Sequence, residues 1–105
     1  MKLYTKPIKV CNLDYEVVNS TLIMNDGIEV HGKIMPKQTE IHVNMELSPS
    51  CYRQVLMHEV VHAVMLGYNI DNEDQLERLV DCIASGVMTV MRDNPDLVKF
   101  IMEEK

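Results

Sequence analysis

The chain has no CxxC pair, no cluster of basic residues and no long apolar run, and each absence removes a class of function. Its three cysteines, Cys11, Cys51 and Cys82, are odd in number and widely separated. Disulfide frameworks and cysteine zinc knuckles need paired spacings, so these read as reduced thiols. Lys and Arg number 10 against 16 Asp and Glu, for a formal charge of −6. No stretch gathers the cations as a phosphate backbone would require, so a nucleic-acid partner is not expected. The opening MKLYTKPIKV lacks the apolar stretch of a signal peptide. The longest apolar run, VLMHEVVHAVMLG at 55–67, is too short to span a bilayer and is broken by charge. No membrane segment is expected, and the chain reads as cytoplasmic. Repeats, linkers and low-complexity segments are missing as well.

What is present is ordinary globular material: 105 residues, 47% hydrophobic and 25% charged. That suits one domain over 1–105 with a modest core. Strand signals fill the first half. Ile8–Cys11 and Asp14–Val18 flank Asn12-Leu13 as a hairpin, and Asn25-Asp26-Gly27 marks a turn. Thr21–Met24 reads either as strand or as a helical turn. Ile28–Met35 and Thr39–Asn44 flank Pro36-Lys37-Gln38 as a second hairpin. Thr39–Asn44 alternates apolar and polar residues, which suggests a strand with one wet face near a sheet edge. Helix signals fill the second half. Ser48-Pro49 fits a cap with proline at the first helical position, and Gly67 fits a stop. Asp71 or Asn72 can cap a second helix, which Pro95 ends near Asn94. The expected fold is α+β, a small N-terminal antiparallel or mixed sheet followed by two main helices, with residues 96–105 short helix or frayed.

Three polar side chains interrupt the greasy first helix: His58, Glu59 and His62. At about 100° per residue the two histidines lie about 40° apart, one turn above the other, and their rings can converge on one point. Glu59 sits beside that point. This is HExxH, in which two neutral imidazoles hold zinc and the carboxylate serves the water that the metal activates. Without partners, burying such groups costs several kcal/mol. Chance places an HExxH in a chain of this composition about once in a hundred, the rough false-positive rate of the motif. A structural histidine pair is the competing explanation.

Two histidines leave a zinc site short of a ligand. No third histidine follows at HExxHxxGxxH spacing, since Gly67 and Tyr68 stand there, which points to a carboxylate of the second helix. On a helical wheel Leu76, Leu79, Val80, Ile83, Val87, Val90 and Met91 cover one arc, taken as the buried face. Glu77 borders that arc, and Asp81 lies one turn on. Glu77 is the favoured third ligand, with Glu73 the rival. Asp81 can then receive the second N–H of a ligand imidazole. The nine methionines and four tyrosines read as packing residues.

His58-Glu59-x-x-His62 followed by Glu77-x-x-x-Asp81 resembles the gluzincin pattern of metallopeptidases. With strands before the motif helix and Ala84 soon after the Glu, the likeness is to minimal gluzincins. These include ImmA/IrrE-like metallopeptidase domains and small phage or Firmicute proteins. The resemblance covers about residues 27–95. It implies a zincin-like fold and one zinc per chain held by His58, His62 and Glu77. In it Asp81 supports the first histidine and Glu59 is the general base of peptide-bond hydrolysis. It implies that the strand Thr39, Glu40, Ile41, His42, Val43, Asn44 lines the cleft for a protein or peptide substrate. Tyr68 and His42 are candidates to stabilise the transition state. A zinc-stabilised protein-binding module, a phage or mobile-element accessory protein, is the alternative.

Overall fold

A computed structural model describes residues 2–70 and 77–103. Strands β1 (Ile8–Val10) and β2 (Leu13–Ser20) form the first hairpin. Its loop is Cys11-Asn12, one residue ahead of the expected Asn12-Leu13, with φ of 49° and 71°, the doubly positive pattern whose twist suits a two-residue hairpin. Asp26-Gly27 does the same between β3 (Ile23–Asn25) and β4 (Ile28–Val30), so Thr21–Met24 becomes strand from Ile23. This small ribbon is hydrogen-bonded apart from the main sheet. The run expected as one strand, Ile28–Met35, therefore breaks at His31 and serves two sheets.

Its second piece, β5 (Gly32–Met35), pairs antiparallel with β6 (Glu40–Asn44), and β6 runs parallel beside β2. The sheet order is β1-β2-β6-β5. Residues 39–44 are thus not an edge: β6 is flanked on both sides, and β5 is the edge strand beside it. Alternation reports which faces of a strand are wet or dry and says nothing about its lateral neighbours. Ile41 and Val43 point into the core at 0% exposure while Glu40 and His42 are half-buried on the other face. The parallel pairing with β2 joins segments some 24 residues apart, which no local pattern encodes.

Helix α1 (Pro49–Gly67) starts as expected, with Ser48 as N-cap accepting from the Cys51 N–H and proline in the first turn. It ends at Gly67, as expected, though not through a left-handed glycine. The residue is still helical, and a Cβ there would lie 2.5 Å from Cys11 Sγ, so the glycine admits the β1–β2 loop. The left-handed residue beyond the helix is Asn69, at φ 60°. Helix α2 (Glu77–Asp93) ends ahead of Pro95, which opens α3 (Pro95–Met102). The expected caps Asp71 and Asn72 lie outside the described residues.

Helix α1 is apolar nearly all round because it lies between two layers. Tyr52 and Ala63, with Val55, Leu56 and Val60, pack on Val10, Tyr15, Ile41 and Val43 of the sheet. Val61 and Met65, with Met57, pack on Val80 and Ala84 of α2. The Tyr52 hydroxyl also ties α1 to β2 by donating to Asn19 Oδ1. The broad arc expected to be the buried face of α2 is mostly not buried. Only Val80 of its described apolar arc is buried, joined by Ala84, while Leu79, Ile83, Val87, Val90 and Met91 are exposed. A helix with a single helical neighbour covers a narrow i, i+4 strip, not a broad arc. Among the described residues all three cysteines are free thiols, and no helix is long and apolar enough to cross a membrane.

Candidate metal centre

The second layer of that packing places the polar side chains. Val61 and Met65 hold α2 against α1, and the turn of α2 carrying Glu77 and Asp81 lies over the face of α1 carrying His58 and His62. His58 Nε2 stands 3.0 Å from Glu77 Oε2, and His62 Nε2 stands 2.8 Å from Glu77 Oε1. The two Nε2 atoms are 3.1 Å apart, and the rings meet edge to face. His58 Nδ1 donates to Asp81 Oδ1 at 2.7 Å. Sequence reasoning paired these four residues, and the structure brings them together. Glu73 lies outside the described residues.

Counting protons shows what this arrangement asks for. A carboxylate only accepts hydrogen bonds, so the Asp81 contact puts the His58 proton on Nδ1. The His58 Nε2 of a neutral ring then offers a lone pair, aimed at an oxygen of Glu77 that also offers lone pairs. Hydrogen bonds alone satisfy both Glu77 oxygens only if both Nε2 atoms carry protons, which sets two N–H groups facing each other 3.1 Å apart. One cation placed among the three acceptors satisfies all of them. A tetrahedral ion about 2.0–2.1 Å from each ligand holds its ligand atoms about 3.3 Å apart, close to the 2.8–3.1 Å observed. His58, His62 and Glu77 fit such an ion, and their ligand atoms all fall within 4.8 Å of one another.

The group opens on a cleft of about 710 Å3, within the ordinary range for ligand sites. One wall is α1 with Val55, His58 and Glu59, another is the α2 turn with Glu77 and Asp81, and the third is the edge strand β5 with His31 just before it. Gly32 sets how closely β5 approaches. A Cβ there would lie 2.7 Å from Val55 Cγ1 and 2.9 Å from the His42 carbonyl oxygen. His42 and Tyr68 are not brought to the cleft. The His42 Nε2 bonds Glu40 Oε1 at 3.0 Å on β6, and Tyr68 is 71% exposed beyond the end of α1. Both failed for one reason: nearness in sequence to the motif is not nearness to its open side. Besides His58 and His62, the imidazole that lines the cleft is His31, whose position depends on the break between β4 and β5 and carries no spacing signal.

Glu59 is buried at 5% exposure. Burial pushes its carboxyl up from 4.5 to about 7; His58 and His62 oppose the rise, and Glu77 and Asp81 add to it. The unfolded carboxyl ionises near 4.5, so its contribution to stability is fully present below that pH and is lost as pH rises through about 7. The loss is on the order of 3 kcal/mol. Urea unfolding of chelator-treated protein from pH 4 to 8 is expected to show the wild type losing this much relative to Glu59→Gln. Identical pH profiles for the two chains would refute the assignment.

No family model, no curated protein and no solved structure matches this chain.

Proposed function

We propose that the chain is a zinc-dependent metallopeptidase acting on a protein or peptide, with one zinc per chain. The observation that carries this reading is the convergence of three acceptor atoms from His58, His62 and Glu77, with Glu59 buried beside them in the same cleft. Two imidazole nitrogens and one carboxylate leave a fourth position free, the donor set of catalytic rather than structural zinc. Zinc supplies the Lewis acidity that lets a water ionise near about pH 7 and polarises a carbonyl. Glu59 takes the proton of the attacking water and hands it to the leaving amine. Asp81 holds the His58 ring in the tautomer that exposes Nε2.

The substrate strand is reassigned from residues 39–44 to β5. β5 ends its sheet and its residues Gly32, Lys33 and Ile34 line the cleft, where an extended peptide would pair with its backbone. His31 replaces His42 and Tyr68 as the side chain available to a developing oxyanion. The resemblance to minimal gluzincins agrees with this reading. The test is hydrolysis of an unfolded polypeptide by the zinc-loaded chain, blocked by chelation and restored by zinc. Full zinc occupancy with no cleavage of any unfolded polypeptide would instead support the zinc-stabilised binding module.

A further inference from the structure

The open edge of β5 has a definite backbone pattern. Across β5 and β6 the Asn44 N–H donates to the His31 carbonyl at 2.8 Å, and the register sets Gly32 opposite Val43 and Lys33 opposite His42. Bonded and unbonded pairs alternate along an antiparallel ladder, so Lys33 and His42 form the next bonded pair. The far side of β6 agrees. The Glu16 N–H donates to the Thr39 carbonyl and the Met45 N–H to the Ser20 carbonyl, so odd-numbered positions there turn to β2 and even-numbered ones to β5. Gly32 and Ile34 are left with N–H and C=O groups directed to the open edge, and among the described residues no hydrogen bond takes them. Both residues line the cleft.

Gly32 is the one of the two that adjoins the reacting groups. A Cβ there would lie 3.4 Å from Glu59 Cγ, besides its collisions with Val55 Cγ1 and the His42 carbonyl oxygen. Its φ is not positive, so the strand conformation itself would accept any residue. Contact alone excludes a side chain, at a site where glycine is otherwise unfavourable in a strand. Such glycines mark places where a ligand or another backbone approaches closely. Both collisions are with stiff partners: Val55 is branched at Cβ, and the His42 oxygen belongs to the main chain of the neighbouring strand. A methyl group at position 32 would therefore push β5 off α1 and carry its edge away from Glu59. Resting on the peptidase reading, we infer that Gly32 is a positioning residue. Its N–H and C=O, with those of Ile34, hold an extended substrate beside Glu59, and its missing side chain sets the gap between β5 and α1.

Residue-resolved hydrogen exchange tests this on the zinc-loaded Glu59→Gln chain, which should bind without cutting, with denatured casein as the probe. The Gly32 and Ile34 amides are expected to exchange fast in the free chain and at least about tenfold more slowly with casein bound. The Lys33 amide, already bonded to β6, should not change. Protection gained at Lys33 instead, casein bound with none of the three amides slowed, or casein that fails to bind each overturns the inference. The expected protection without any hydrolysis by the wild-type chain would end the peptidase reading while supporting the pairing. Gly32→Ala should keep zinc content and helicity and lower kcat for casein by roughly 10–100-fold, since a misplacement of about 1 Å can cost that much. Adding Val55→Ala removes one collision and should recover part of the rate, whereas a glycine needed only for stability would make the second truncation costlier still. Wild-type turnover in Gly32→Ala overturns the positioning role.

Discussion

Replacing His58 with alanine is expected to weaken zinc binding by more than about 100-fold, because loss of an outer-shell partner alone costs roughly 10–100-fold. His58 is the residue on which the whole arrangement turns. Its Nδ1 is tied to Asp81, and its Nε2 faces both His62 and Glu77. Removing it leaves one imidazole and one exposed carboxylate, too few to hold zinc against water. Competition with a chromophoric chelator measures the effect, the wild-type chain being expected to hold one zinc. Asp81→Ala should fall between the two, at roughly 10–100-fold, since it keeps all three ligands and loses only the ring's orientation. Glu77→Ala should behave like His58→Ala, while Glu73→Ala should keep the metal. The reverse result for the two glutamates would move the third ligand to Glu73. Wild-type affinity in His58→Ala would end the metal reading altogether.

Glu59→Gln should leave zinc content intact and lower peptide hydrolysis by roughly 10²–10⁴-fold, the usual contribution of a positioned proton-transfer group. The amide matches the carboxylate in shape but cannot accept a proton from water. Glu59 is not among the three converging acceptors, so affinity and turnover separate cleanly in this variant. The same substitution removes a buried ionisable group and should make the metal-free chain more stable at neutral pH. A variant that is slow because it is misfolded would show the opposite. Hydrolysis at the wild-type rate would remove Glu59 from the chemistry.

The candidate site was legible in unusual detail because its main elements are local. His58, Glu59 and His62 lie within one and a half turns of a single helix, and helical periodicity alone aims the two rings together. The Glu77 and Asp81 spacing obeys the same rule on the next helix. What went astray was the environment. Glu77 and Asp81 were placed beside a broad buried face, yet most of that apolar arc faces outward and the two carboxylates line an open cleft. Periodicity reports where apolar residues lie, and whether a neighbour covers them is a matter of packing.

The sequence by itself determined the α+β class, the hairpin turns, the extent of the first helix to within a residue or so, and the pairing of HExxH with a carboxylate about one helix away. Each rests on backbone preference or on side-chain periodicity, which act over a few residues. Tertiary structure alone decided that β6 is central and β5 an edge, that His31 rather than His42 or Tyr68 lines the cleft, and that most of the apolar arc of α2 is exposed among the described residues. Those depend on which segments far apart in the chain become neighbours. Hydrophobic burial drives that choice without direction, and hydrogen bonding to a distant strand completes it, so neither leaves a mark in any short stretch of residues.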